Sequence, residues 1–139
     1  MADDGKQLVQ RLYDETNAGN LSVIDEVLAD DFTEHEEFPG IPPGKEGVRQ
    51  FFAMFRSAFP DMHMDAHEMV AEGDMVCVRA TMAGTQQGEF MGMPASGRSV
   101  DVQLIDIIRF GDDGLAREHW GIFDQMTMMQ QLGAIPAPA

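Results

Sequence analysis

A single cysteine, Cys77, rules out an internal disulfide and fits a reducing compartment. It lies in the apolar run Met75-Val76-Cys77-Val78 with no cation-rich surroundings, so it reads as a buried structural thiol rather than a nucleophile. No apolar run approaches the roughly 20 residues needed to cross a bilayer, which argues against a membrane protein. The opening Met1-Ala2-Asp3-Asp4-Gly5 is acidic and has no apolar centre, so it does not read as a secretory signal. These absences point to a cytoplasmic protein. Basic residues are also scarce: nine lysines and arginines stand against 24 carboxylates, for a net charge of -15. Residues 1–40 hold 11 of those carboxylates and only Lys6 and Arg11. Such a field repels phosphate backbones, so no nucleic-acid partner is expected. The acidic groups read as a solubilising surface.

What is present is ordinary for a globular chain: 44% hydrophobic and 24% charged residues over 139 positions. That suits a single domain over 1–139, with a core over about 5–133 and a Pro/Ala tail over 134–139. Twelve methionines supply flexible filling for irregular apolar space. Leu8, Val9, Leu12 and Tyr13 recur at helical spacing and predict a helix over 4–18. Ser22 opens a short second helix over 22–29, striped by Ile24, Val27 and Leu28. Phe32 to Glu36 reads as a short strand, and the Pro/Gly-rich stretch after it as a loop. Val48, Phe51, Phe52, Phe55 and Phe59 follow the i, i+3, i+4, i+7 pattern of a helix over 46–58, which Pro60 ends.

After Pro60 the period changes from 3.6 to 2. Strands are predicted over 63–71, 75–85, 100–110 and 115–124, with turns at Glu72-Gly73-Asp74 and Asp112-Asp113-Gly114. A glycine-rich connection separates the second from the third. Met126, Met129 and Leu132 make a last helix over 125–132, with Gly133 as its C-cap. Helices first and a strand meander after give an α+β fold, with N-terminal helices packed on one face of a curved, mainly antiparallel sheet. Such a sheet closed by helices makes a cone, and the mouth of a cone is a natural small-molecule site.

Four strings, in this order, carry a resemblance. They are Asp31-Phe32-x-x-His35, Gly84-Thr85-x-x-Gly88-Glu89-Phe90-Met91-Gly92-Met93-Pro94, Asp106-Ile107-Ile108-Arg109-Phe110, and Glu118-His119-Trp120-x-x-x-Asp124. The chain resembles the SnoaL-like polyketide cyclases, within the nuclear transport factor 2-like superfamily, over about residues 5–133. The resemblance implies a cone-shaped α+β barrel, a homodimer or higher oligomer, and ring closure by aldol chemistry with no metal and no cofactor. A carbon flanked by carbonyls is already acidic, so such an enzyme needs a pocket that folds the substrate and one group that moves a proton. The family's usual proton carrier is an Asp directly after His-Trp. Here that position is Gly121. Asp124, three residues on, falls on the opposite strand face. After Gly84-Thr85 the family often has His, and this chain has Gln86.

His119 shares a strand face with Gly121 and Phe123, and the resemblance turns that face toward the pocket, with Trp120 facing away. A histidine titrates near neutral pH, so His119 is the expected catalytic proton carrier. His35 matches a family pocket position; the carboxylates around it (Asp31, Glu34, Glu36 and Glu37) read as solvated surface, because the spacing fits no metal motif. Along 100–110, Asp101, Gln103, Ile105 and Ile107 share one face and Val102, Leu104, Asp106 and Ile108 the other. The family match favours Gln103 and Ile105 inward, with an exposed edge position as the other reading of Gln103. Arg79 is a candidate for binding a substrate carbonyl or carboxyl, with ion pairing to an acidic neighbour as the other reading. Tyr13, Phe51, Phe55 and Phe123 complete the expected substrate wall.

The expected partner is therefore a hydrophobic, oxygenated polyketide-like or cyclic compound, transformed by proton transfer in an aldol cyclisation or isomerisation. Two alternatives stay open: a binding protein of the same fold that lost catalysis with Gly121, and a cofactor-independent hydroxylation accessory. Val102, Leu104, Ile108, Trp120 and Ile122 are the expected homodimer face.

Overall fold

The computed structural model describes residues 2–136, with side chains from residue 4 onward. The last residues of the Pro/Ala tail, 137–139, lie outside the described residues. The elements are α1 (Ala2–Asn17), α2 (Val23–Val27), β1 (Leu28–Glu34), α3 (Lys45–Ala58), β2 (His63–Glu72), β3 (Met75–Thr85), β4 (Ser99–Phe110), β5 (Ala116–Phe123) and α4 (Gln125–Gln131). The change of period at Pro60 thus marks the true passage from helix to sheet. The junction of the second helix with the first strand departs from expectation, and that strand runs Leu28–Glu34 rather than Phe32 to Glu36. The second helix stops at Val27, because Leu28 is already extended (φ -91°, ψ 137°) and leads into β1. Ser22 also lies in the helical region and makes no capping bond; its hydroxyl instead contacts Asn20.

The strands form one five-stranded sheet in the order β1-β5-β4-β3-β2. β2, β3, β4 and β5 pair antiparallel, while β1 runs parallel to β5. The sheet is mixed and open, with β1 and β2 as its edges, so helices rather than strand pairing close the cone. Register shifts in β1/β5, between Ala66 and Glu68 of β2, and between Arg109 and Phe110 of β4 supply the local bending that curvature needs.

Alternation along the strands sets the two faces. Val76, Val78, Ala80 and Met82 of β3 and Val100, Val102 and Ile108 of β4 are buried on the inner face. Val9, Leu12 and Tyr13 of α1 and Val48, Phe55 and Ala58 of α3 pack down onto it. Phe55 is fully buried, and its ring meets Phe90 edge-on at 5.0 Å. Burying one such side chain stabilises the fold by about 1.5–3 kcal/mol.

The glycine-rich connection is tied to α3. Gln87 and Gly88 both donate to the carbonyl of Ala58, at 2.8 and 3.1 Å, satisfying the end of the helix. Gly88 is required there, since a Cβ would lie 2.6 Å from the Ser57 carbonyl oxygen. Gln86, almost fully buried, donates from Nε2 to the carbonyls of Gly88, Met93 and Pro94 and accepts from the Ser96 hydroxyl at 2.6 Å. The side chain that departs from the family pattern is thus the internal brace of this loop.

On the outer face a row crosses the sheet in register: Val70, Cys77, Ile107 and Trp120. Cys77 is therefore half-buried on this outer face rather than enclosed in the core. Val102, Leu104 and Ile108, grouped with Trp120 in the sequence reading, point the other way, because Ile108 pairs with His119 and Ile107 with Trp120.

Candidate active site

Between the inner sheet face and helices α1 and α3 lies a cavity of about 570 Å³. That is ample for a drug-sized ligand. Its wall is mostly apolar: Leu12, Phe38, Phe51, Phe52, Met64 and Leu104 are representative. Tyr13, Glu34, Glu36, Glu37, Asp106 and His119 bring polar groups into it.

Strand register explains why these groups meet. On β4 the inner face runs Leu104, Asp106, Ile108; on β5 it runs Phe123, Gly121, His119, paired in that order. On β1, Glu34 pairs with His119. His119 consequently lies between two carboxylates. Its Nδ1 bonds Glu34 at 2.6 Å and its Nε2 bonds Asp106 Oδ1 at 2.7 Å. The other oxygen of Asp106 accepts from the Tyr13 hydroxyl. The side chains of His119, Glu34 and Asp106 are each about 15% exposed, so solvent screens them little.

Burial alone would lower the His119 pKa, but the hydrogen bonds to Asp106 and Glu34 outweigh it and hold the imidazole up to about 10. At neutral pH the ring is a cation that donates from both nitrogens. Burial, reinforced by the Asp106 charge, pushes the Tyr13 phenol well above its ordinary value, so it remains a donor. Burial likewise pushes Glu36 up to about 7, with the His119 cation opposing and Asp106 and Glu34 adding to the rise.

Gly121 makes room for this cluster. A Cβ there would lie 2.6 Å from Glu36 Oε2, 2.7 Å from His119 Cε1 and 2.8 Å from Asp106 Oδ1. Glu34, Glu36 and His119 also bring one candidate ligand atom each to within 4.8 Å of one another. Both His119 nitrogens are already engaged by carboxylates, however, and an imidazolium has no lone pair to offer a metal. The arrangement is suited to moving protons in an apolar space.

The pattern of a SnoaL-like polyketide cyclase matches residues 7–132. The chain belongs to the SnoaL-like polyketide cyclase family. It is 26% identical to the aklanonic acid methyl ester cyclase DnrD of Streptomyces peucetius, over 91% of this chain and 88% of that protein. Among solved structures, TsrD of Streptomyces laurentii is 32% identical, with a TM-score of 0.86 over 96% of this chain and 97% of its own. AclR of Streptomyces galilaeus, a candidate hydroxylase, is 27% identical, with a TM-score of 0.87 over all of this chain and 87% of its own.

Within this SnoaL-like fold, His119, Tyr13, Phe51, Phe55 and Phe123 all line the cavity. The other four expected site residues are placed elsewhere. Gln103 and Ile105 point out of the sheet, Ile105 being 49% exposed, because the β4 face turned inward is the one carrying Leu104, Asp106 and Ile108. Arg79 also points outward and pairs with Glu68 at 2.9 Å. His35 stacks on Trp120 at 4.7 Å and bonds Glu118 at 2.9 Å, outside the cavity wall. Asp124 caps α4 through Thr127.

Asp106, Glu34 and Glu36 are the site groups that the sequence reading passed over. The two glutamates are half-buried against the cavity rather than forming solvated surface. One signal for Asp106 was available: a lone carboxylate on the more apolar face of a strand needs a buried partner.

Proposed function

We propose that this protein is a cofactor-free enzyme that rearranges an oxygenated polyketide-like substrate by proton transfer, as an aldol cyclisation or isomerisation. The observation that carries this reading is the His119–Asp106 pair, buttressed by Glu34 and Tyr13 and set in an otherwise largely apolar cavity. A substrate carbon between two carbonyls loses its proton to Asp106, with His119 and Tyr13 orienting that carboxylate. His119 and Asp106 share a hydrogen bond and act as one proton-transfer unit. The imidazolium also offsets the charge that develops as the enolate forms. Apolar walls hold the chain folded so that the enolate carbon meets its target carbonyl.

The relationship to DnrD supplies the first substrate to try, aklanonic acid methyl ester. Metal-stripped protein is expected to convert that ester into a product of unchanged mass, because an intramolecular aldol addition only relocates atoms. Chromatography with mass detection reads the result. Tight binding without turnover across a panel of linear and cyclic β-keto esters would replace the enzyme reading with that of a binding protein.

We also propose a homodimer through the outer sheet face. Ile122 is 79% exposed, Val70 67% and Ile105 49%, apolar side chains carried on the outer face by three different strands. Sedimentation velocity at micromolar concentration is expected to give a dimer, and Ile122→Lys a monomer that retains the cavity. A monomeric parent protein would refute this.

A further inference from the structure

Glu36 follows the end of β1, and its carboxyl lies against Gly121. The position that a residue-121 Cβ would occupy is 2.6 Å from Glu36 Oε2 and 2.8 Å from Asp106 Oδ1. Two carboxyl groups thus converge on a notch left by one missing side chain. They are held in different ways. Asp106 accepts from both Tyr13 and His119. The Glu36 carboxyl accepts no hydrogen bond among the described residues; only its backbone N–H is engaged, donating to Glu34 Oε1 at 2.9 Å. A half-buried carboxyl without a donor, on the wall of an apolar cavity, has a hydrogen-bonding capacity that the fold leaves unused.

We propose that Glu36 is the substrate-facing general acid of this site, delivering its proton to the carbonyl oxygen of a ligand held over Gly121 while Asp106 takes the proton from carbon. This rests on the proton-transfer reading above and assigns the second half of the reaction. The substrate C–H bond breaks and its proton passes to Asp106. The freed electron pair forms the new C–C bond, the carbonyl π pair moves to oxygen, and that oxygen takes the Glu36 proton. Asp106 then returns its proton to Glu36 across the notch, so no proton is gained or lost overall.

The groups facing Glu36 come from three strands and a helix: His119 on β5, Asp106 on β4, Glu34 on β1, and, beyond Asp106, the Tyr13 hydroxyl on α1. Burial and the two carboxylates favour the neutral acid, and the imidazolium opposes them. The balance leaves the carboxyl titrating at about 7. A donor of this kind works near neutral pH and fails as pH rises through that value.

The test begins with protein carrying carboxyl-13C glutamate. The Glu36 resonance is the one missing from Glu36→Gln. Its midpoint is expected near 7, and adding 9,10-anthraquinone, whose carbonyl oxygens only accept, should raise it, because such an oxygen bonds only the protonated form. With aklanonic acid methyl ester, turnover should fall above neutrality. Glu36→Gln should lose about 10²-fold in kcat, with KM nearly unchanged and the alkaline limb gone. Glu36→Asp, whose shorter acid still donates, should keep that limb at a reduced rate.

A Glu36 midpoint in the ordinary carboxylate range that ignores the quinone would overturn the proposal, as would full turnover by Glu36→Gln. If the parent protein leaves the ester unchanged, the cyclase reading is at fault, and the titration and quinone measurements still decide the role of Glu36.

Discussion

Replacing His119 with alanine is expected to lower turnover by about 10²-fold or more and to destabilise the fold by about 3–5 kcal/mol, the scale for removing one partner of a buried ion pair. The two losses have one origin. His119 is the cation shared by Glu34 and Asp106, and Glu36 lies close enough to feel it. Without the ring, three carboxyl groups face one another in a space that water enters poorly. Coulomb repulsion and unsatisfied acceptors then act together. His119→Gln separates the terms, because an amide can satisfy a carboxylate but carries neither charge nor a transferable proton. It should recover part of the stability and almost none of the rate. Full activity in His119→Ala would remove His119 from the mechanism.

The pH dependence of stability tests the same pair. The His119 pKa is raised from 6.5 to about 10 in the folded protein. Its stabilisation is therefore complete below about pH 6.5 and is lost as pH rises through about 10. The Glu36 pKa is raised from 4.5 to about 7, which has the same sign and acts between those two values. Chemical denaturation of the parent protein should show unfolding free energy declining across both windows. In His119→Ala the upper decline should vanish. The Glu36 midpoint should climb further, since the imidazolium that lowers it has gone.

Much of the fold was legible because it rests on periodicity. The stripe of phenylalanines in α3 and the alternation in β3 and β4 follow from burial of one face, and that physics is local. β1 was harder to see. Leu28 and Ala29 fit a helix equally well, and only parallel pairing with β5 draws them into a strand. The site was half legible. His119 and Phe123 lie on a face that alternation and the family likeness both indicate. The family likeness favours Gln103 and Ile105 inward, whereas the inner face of β4 is the more apolar one and carries a lone carboxylate, Asp106. Its partners Tyr13 and His119 are 93 and 13 residues away, so no local pattern could show that the charge was satisfied. Glu34 and Glu36 were hidden in the same way, as two acids in a strongly acidic stretch.

Gly121→Asp is the second large effect, and its expected direction is the reverse of what the family pattern suggests. Comparison of sequences alone makes this substitution the restoration of a missing acid. In the structure the place is taken. A Cβ at residue 121 would approach Glu36, His119 and Asp106 at 2.6, 2.7 and 2.8 Å, all well inside van der Waals contact. Glu36 can swing aside, but His119 and Asp106 are pinned by Glu34 and Tyr13. The new carboxylate would also bring one more negative charge to a cluster with a single histidine. Gly121→Asp is therefore expected to lose about 10-fold or more in turnover through the displaced proton-transfer groups, and to unfold at a lower temperature than the parent. Gly121→Ala, which adds the methyl without the charge, should fall between the two. The decisive variant is the double one, Gly121→Asp with Glu36→Ala, which empties the notch before refilling it. If Glu36 holds the position that an aspartate at residue 121 would otherwise fill, the pair should be strongly non-additive, with the double variant more active than either single one. An active and fully stable Gly121→Asp single variant would show that the notch has room for both acids, and that Glu36 does not stand in for the absent aspartate.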